Sequence, residues 1–283
     1  MKLACQVLSS ALPGRVAAHG PDRLYTAPVR FAKLHGLGND FLLLDLRQGG
    51  QPLAARRALE LCDRHLGVGG DGVLTLLPGG RMLVQNADGS VPEMCGNGAR
   101  CAALWIATSG CTRPASGRVD LLTDAGPRPC TVEAEDPRRG LVEVDMGLAA
   151  VEPAKALSRW QAVPVSMGNP HRVIFVESGA AALAKEAGPA LCAQESANIE
   201  FAQRSGSGRY AAFVFERGAG LTQACGTGAC AVAAAAIARG EARRDQEIEV
   251  ELPGGTLAIR VDAENRVRMR GPAELSFLGE FLA

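Results

Sequence analysis

The sequence predicts a mixed α/β (α+β) fold of two pseudo-symmetric lobes, each a curled mixed β-sheet wrapped around one central buried helix. The first observation behind this is an internal repeat. NADGSVPEMCGNGARCAALWI (86–106) and ERGAGLTQACGTGACAVAAAAIA (216–238) align at an offset of 130 residues, which sets Cys225 on Cys95, Gly226-Thr227-Gly228-Ala229 on Gly96-Asn97-Gly98-Ala99, and Glu216 on Asn86. The same offset sets Gly168-Asn169 on Gly38-Asn39, well upstream. The second observation is that each Cys-Gly-X-Gly opens an apolar run with almost no polar face, the mark of a helix buried on every side. The third is that short strand-like runs, bounded by turn residues, flank both helices in the same order.

Residues 1–28 contain Pro13, Gly14, Gly20 and Pro21 without periodicity and are expected to form a poorly ordered extension. Translation is expected to begin at Val29 on a non-standard start codon; an intact mass from the native source that included residues 1–28 would reject this. From Val29, VRFAKLH alternates as a strand, turns through Gly36-Leu37-Gly38-Asn39-Asp40 and returns as FLLLDL. Residues 53–65 carry apolar positions at helical spacing, with Arg56, Arg57 and Glu60 opposite. Gly67-Val68-Gly69-Gly70-Asp71-Gly72 matches the dinucleotide-binding fingerprint in form only. That motif needs a strand before it and a helix after it, whereas here a helix precedes and the strand VLTLL follows. MLVQNA reads as a strand ending by Asn86, followed by the first Cys loop, a helix over about 96–109 and strands at 118–124, 130–135 and 141–146. An Ala- and Pro-rich link near 147–155 divides an N-terminal lobe (29–148) from a C-terminal lobe (149–271), with 272–283 a candidate to return to the first. The second half repeats the plan: strand 162–167, the turn Gly168-Asn169-Pro170-His171, strand 172–177, helix 180–193, strands 198–204 and 209–216, helix 226–239, and strands 247–252, 256–262 and 266–270.

At 283 residues and 47% hydrophobic content the chain can bury a large core. Thirty basic and thirty acidic residues cancel, and no Lys/Arg block is interleaved with aromatics. This argues against nucleic-acid and membrane-surface partners and for a small polar substrate. The apolar runs are too short to span a bilayer. Nine cysteines, an odd number in a chain that needs no staples, point to reduced thiols in the cytoplasm.

Each repeated Cys sits at a helix mouth, where unpaired N–H groups and the positive dipole end favour an anion. That end effect, roughly 0.3 to 2 kcal/mol, is expected to bring a thiol toward neutrality. Two like thiols facing one another across a cleft, one ionised and one protonated, suit inversion of a carbon stereocentre, since one takes a proton from one face and the other returns it to the opposite face. The amides of Gly96, Asn97 and Gly98 and of Gly226, Thr227 and Gly228 are expected to aim at the substrate carboxylate. Asn39 and Asn169, paired by the repeat, and Asn86, Asn198, Glu216 and Arg217 complete the expected cleft. Arg217 would clamp a second carboxylate while Glu216 accepts from an ammonium, and His171 would assist as acid or base. Cys101 and Cys230 stand too far around their helices to chelate with Cys95 or Cys225, so no metal is expected. The remaining cysteines, Cys5, Cys62, Cys101, Cys111, Cys130, Cys192 and Cys230, are assigned to packing or surface.

HGLGNDF, GVGGDG, NADGS with CGNGARC, SMGNPH, ANIEF and ERGAGLTQACGTGACA, in this order from Arg30 onward, resemble the signature segments of the diaminopimelate epimerase family. The resemblance implies cofactor-independent, two-base conversion of LL- to meso-2,6-diaminopimelate for lysine and peptidoglycan precursor synthesis, in a two-lobed fold that often forms a homodimer. Cys95 and Cys225 match the two acid/base thiols. Asn39, Asn86, Asn169, Asn198, Glu216 and Arg217 match substrate contacts, and His171 a residue beside the pair. The extension 1–28 and Gly72, where some members carry Gln, depart from the pattern. The related two-cysteine proline and hydroxyproline racemases are the alternative. A thiol-based metal-binding or redox module is a further one, which would carry stoichiometric zinc or work through a Cys95–Cys225 disulfide.

Overall fold

A computed structural model describes residues 28–92, 94–110 and 116–282. The expected extension, apart from Pro28, lies outside the described residues, as do Cys5 and Cys111. In the first half, strands Pro28–Gly36, Asn39–Asp45, Gly72–Leu77, Arg81–Asn86, Gly117–Thr123, Gly126–Asp136 and Arg139–Leu148 pair in succession. Their senses run antiparallel, parallel, antiparallel, parallel, antiparallel, antiparallel. In the second half, Trp160–Ser166, Pro170–Val176, Asn198–Gly206, Arg209–Glu216, Glu247–Leu252, Gly255–Val261 and Arg266–Leu282 pair in the same senses.

Each half closes on itself through a strand pair that both share. Arg266–Leu282 pairs with Arg139–Leu148 along its first part and with Pro28–Gly36 along its last. Arg139–Leu148 continues past Ala149 into Ala150–Val151, which pairs with Trp160–Ser166. Two barrels result, closed through this shared pair.

The helices are α1 (Ala55–Cys62), α2 (Gly96–Thr108), α3 (Ala180–Glu195) and α4 (Gly226–Ala238). α2 runs inside the first barrel and touches every one of its strands; α4 does so in the second. Every residue of α4 from Gly226 to Ala236 is buried. Its alanines present little bulk, so the strands close around a helix rather than around side chains alone. α1 and α3 lie outside, as crossovers between parallel strands. Ala58, Leu61 and Cys62 of α1 pack on Leu42, Leu44 and Val73. Ala184, Leu191 and Cys192 of α3 pack on Ile174, Ile199 and Phe201.

Three elements differ from expectation for identifiable reasons. α1 stops at Cys62 because the Asp63 carboxylate accepts from the amides of His65 and Leu66 and turns the chain. The link at 147–155 is itself paired, through Ala150–Val151 and Lys155–Leu157. The last strand runs through Gly271-Pro272, which reads as a stop signal. Its pairing to Gly255–Val261 ends at Arg270 and its pairing to Pro28–Gly36 begins at Glu274. Proline therefore stands where the strand changes neighbours, and its missing N–H breaks no ladder on that side.

Candidate active site

Both repeated cysteines are the N-caps of the enclosed helices. Cys95 (φ −131°, ψ 103°) and Cys225 (φ −116°, ψ 106°) are extended, which turns each thiol over its own first turn. There the amide of Gly98 donates to Cys95 Sγ at 3.3 Å and that of Gly228 to Cys225 Sγ at 3.4 Å. A sulfur thus fills the role usually taken by a Ser or Asp oxygen. Of the six amides expected to aim at a substrate carboxylate, those of Gly98 and Gly228 donate to the sulfurs. The glycines also answer a packing demand. A Cβ on Gly96 would lie 2.8 Å from Met269 Cε, and one on Gly98 2.8 Å from Leu74 Cδ2, so only glycine lets α2 seat this deeply.

The two helix mouths are joined by one side chain. Asn97 Nδ2 donates to the carbonyl of Ala224, the residue before Cys225, at 2.9 Å, and to Asn39 Oδ1 at 3.0 Å. Asn39 Nδ2 in turn donates to Asp71 Oδ2 at 2.7 Å, and Arg64 holds Asp71 Oδ1 at 2.8 Å. On the other side Asn169 Nδ2 donates to Thr227 Oγ1 at 3.3 Å, and Asn169 Oδ1 faces His171 Nε2 at 3.0 Å. His171 Nδ1 lies 2.6 Å from Glu200 Oε1, both residues being fully buried.

Burial sets the chemistry of the thiols. It pushes Cys95 up to about 11, against the Gly98 amide, with the Glu216 charge adding to the rise and that of Arg100 opposing it. Cys225 is likewise pushed well above its ordinary value, by burial first and then by the carboxylates of Glu216 and Glu200. The expectation that the helix mouth alone would bring a thiol toward neutrality is corrected: an end effect of roughly 0.3 to 2 kcal/mol is outweighed by desolvation. Glu216 is itself raised by burial, against hydrogen bonds from Thr222 and Cys225. Its charge adds to the rise of both thiols.

The structure thus gathers Cys95, Asn97, Asn39, Cys225, Thr227, Asn169, His171 and Glu216 around one junction. It does not bring Asn86, Asn198 and Arg217 into the same contacts. Asn86 Nδ2 turns to Ser90 Oγ at 2.9 Å within its own turn, and Asn198 Oδ1 accepts from the amide of Arg217 at 2.9 Å. Glu216 and Arg217 diverge at the strand end: the carboxylate accepts from Thr222 Oγ1, while the exposed guanidinium reaches the carbonyl of Ser196 at 3.2 Å. Sequence reasoning missed Glu200, Asp71 and Arg100. Glu200 was within reach, since residues two apart on a strand share a face and Asn198 was already a candidate. Arg100 is the one charge on an otherwise apolar helix.

The fold is shared with solved structures of other proteins. Hydroxyproline epimerase from Agrobacterium vitis superposes with a TM-score of 0.71 at 14% identity, covering 90% of this chain and 92% of that one. A phenazine biosynthesis protein from Bacillus anthracis gives 0.68 at 16% identity, over 91% and 100%. At these identities the likeness is one of fold. A family model described as diaminopimelate epimerase matches residues 31–151 and 163–276. Diaminopimelate epimerase of Synechocystis sp. is 42% identical, over 88% of this chain and 98% of its own, and that of Synechococcus elongatus is 40% identical, over 89% and 97%. The chain belongs to the diaminopimelate epimerase family and is an isomerase.

Proposed function

We propose that this chain epimerises 2,6-diaminopimelate between its LL and meso forms by two-base proton transfer between Cys95 and Cys225, without a cofactor, in the cytoplasm. The observation that carries the reading is the Asn97 bridge, which joins the N-cap thiol of one barrel to the loop of the N-cap thiol of the other. A thiolate on one face takes the α-proton and becomes a thiol. The carbanion left behind accepts a proton from the thiol on the opposite face, which becomes the thiolate. Atoms and charge balance within the turnover, and the two thiols exchange roles.

The surrounding groups fit a substrate with two amino-acid heads. Asn97 Oδ1 is buried without a hydrogen-bond partner and can accept from an ammonium. Arg217, exposed at the rim, can take the distal carboxylate. A proline-type substrate has no second head and no use for Arg217. The test is solvent-deuterium incorporation during turnover, started separately from the LL and the meso isomer and compared with proline. Label at the inverted carbon of diaminopimelate is expected from both directions. Exchange on proline but not on diaminopimelate would overturn the substrate assignment, and inversion with retention of the original hydrogen would overturn the two-base scheme.

A further inference from the structure

One pair of residues in the second barrel is not called for by its fold. The strand pairings set Gly72 opposite Phe41 in the first barrel and Asn198 opposite His171 in the second, so Phe41 and Leu74 stand where His171 and Glu200 do. The glycines that follow the cysteines agree: a Cβ on Gly98 would meet Leu74 Cδ2 at 2.8 Å, and one on Gly228 would meet Glu200 Oε1 at 3.1 Å. Phe41 and Leu74 are buried apolar side chains, whereas His171 and Glu200 are a buried titratable pair. Apolar filling of such a place is often neutral or favourable for stability, so the polar pair calls for a reason outside packing.

The contacts supply one. His171 Nδ1 lies 2.6 Å from Glu200 Oε1, and its Nε2 lies 3.0 Å from Asn169 Oδ1. Asn169 Nδ2 donates to Thr227 Oγ1 at 3.3 Å, and Thr227 Oγ1 lies 3.6 Å from Cys225 Sγ. Each link fixes the sense of the next. A bare Nε2 would set two acceptors against each other at Asn169, so Nε2 carries hydrogen and donates. Asn169 then presents Oδ1 to His171 and Nδ2 to Thr227, and a Thr227 oxygen that accepts from Asn169 keeps its own hydrogen for Cys225. With the Gly228 amide at 3.4 Å, two donors converge on Sγ. The chain starts at the carboxyl group. A single proton shared between Oε1 and Nδ1 leaves hydrogen on Nε2 whichever atom holds it, whereas a lone carboxylate facing the Nδ1–H of a neutral imidazole would leave Nε2 bare. Glu200 Oε2 is buried without a hydrogen-bond partner, which favours the shared proton over the lone carboxylate.

We propose that Glu200 is a positioning residue: through His171 and Asn169 it fixes the hydroxyl of Thr227 as a hydrogen-bond donor to Cys225. The thiolate formed when Cys225 gives up its proton is then met by an oriented O–H as well as by the Gly228 amide. No proton travels along the chain; only its direction is set. Without the carboxyl group either imidazole nitrogen can hold the hydrogen, the Asn169 amide can turn over, and Thr227 then donates to Asn169 instead of to the sulfur. The proposal rests on the two-base reading, and its first measurement needs no turnover.

The test joins NMR of protein labelled with heavy nitrogen at histidine to turnover and urea unfolding. His171→Phe identifies the His171 signal by its disappearance. In the wild type that signal shows hydrogen on Nε2; hydrogen on Nδ1 alone overturns the proposal, whatever the variants do. Glu200→Gln, whose amide can donate to Nδ1, keeps hydrogen on Nε2 and keeps kcat within about threefold of wild type. A fall of about tenfold with Nε2 still protonated, or full kcat with hydrogen on Nδ1 alone, would mean that Glu200 acts otherwise than through His171 and would overturn the proposal. The double variant His171→Phe with Glu200→Leu copies the first barrel. It should match or exceed the wild-type urea midpoint while kcat falls about tenfold or more, the contribution of one hydrogen bond to a charged group. Unchanged kcat in the folded double variant overturns the proposal, and so does a loss of kcat with a clearly lower urea midpoint, which would assign the pair to structure. A wild type that fails to exchange deuterium into diaminopimelate would sink the two-base reading while leaving the Nε2 signal as it is, so the two readings fail separately.

Discussion

Replacing Gly254 with alanine should separate the two helix mouths without touching either thiol. Gly254 donates its amide to the carbonyl of Gln223 at 2.8 Å, two residues before Cys225. An added Cβ would lie 2.0 Å from the carbonyl oxygen of Leu37 and 3.1 Å from that of Gln223. Ordinary contact begins at 3.4 Å, so the backbone must part by about 1.4 Å. Leu37 belongs to the turn that carries Asn39, and Gln223 to the loop that carries Cys225. The methyl group is therefore a wedge between the elements that Asn97 bridges. Asn97 Nδ2 lies 2.9 Å from the Ala224 carbonyl, and an opening of that size would take it out of hydrogen-bond range. Overpacking of this kind destabilises by about 1–3 kcal/mol, and a misplacement of about 1 Å lowers turnover about a hundredfold. We expect Gly254→Ala to lose about two orders of magnitude in deuterium incorporation into diaminopimelate, with a lowered urea midpoint. Turnover within twofold of wild type, at an unchanged urea midpoint, would show that Leu37 yields freely and that the mouths are not held through it.

Cys95→Ala and Cys225→Ala should each abolish epimerisation while leaving the far-UV circular dichroism unchanged; measurable turnover in either would defeat the two-base scheme. A Cys→Ser variant of either should still eliminate halide from a halogenated diaminopimelate analogue, because elimination needs one base, and ion-selective detection of halide reads this directly. Asp40 is held at about 2 although burial acts to raise it, because Arg64 and Lys33 donate to it. Its folded value lies below the ordinary 3.8, so its contribution, about 2 kcal/mol from the size of the shift, is present above pH 3.8 and fades as pH falls through 2. Asp40→Asn should therefore lower the urea-derived stability near neutral pH and converge with wild type in strong acid; a constant gap would refute the assignment. Glu216 is raised instead, so its contribution is complete below the ordinary carboxyl range and is lost as pH rises through the folded value. Glu216→Gln should consequently match or exceed wild-type thermal stability at neutral pH while losing turnover, and a clear drop in its thermal midpoint would count against this.

The thiols were legible because the repeat displays them twice, and a residue before Gly-X-Gly in both copies has little freedom to lie elsewhere than at a helix mouth. The enclosure of α2 and α4 was legible from the lack of a polar face. What could not be read was direction. Glu216 and Arg217 are adjacent, and only the strand geometry shows that one turns inward to Thr222 and the other outward to Ser196. Glu200 sits in an apolar strand, where a lone acid reads as an outward-facing residue until its contact with His171 is seen. The strand beyond Gly271-Pro272 was hidden because that dipeptide is a turn signal in most contexts, and only a change of strand neighbour makes it harmless. The acidity of the thiols was misjudged for an energetic reason: the helix end is visible in sequence, and the burial that outweighs it is not.

An exact copy would be a poor two-base catalyst, because identical mouths leave a shared charge with no preferred seat and no preferred direction of transfer. A strongly biased pair would be no better. Each 1.36 kcal/mol of preference is tenfold in occupancy, so a bias of several kcal/mol would trap the charge on one sulfur and close the reaction to one isomer. The side chains around the thiols oppose one another in a way that bounds the bias. Arg100 draws charge to Cys95 and Glu216 repels it there, while Glu216 and Glu200 together repel it from Cys225. Glu216 acts on both sulfurs and so cancels in part from the difference between them; burial, the largest influence on each, stands beside Arg100 and Glu200 in what is left. Removing both, as in Arg100→Met with Glu200→Leu, should then change the difference between the pH midpoints for iodoacetamide alkylation of Cys95 and of Cys225, followed separately by peptide mass, and a difference equal to that of the wild type would place the asymmetry elsewhere than in these two residues.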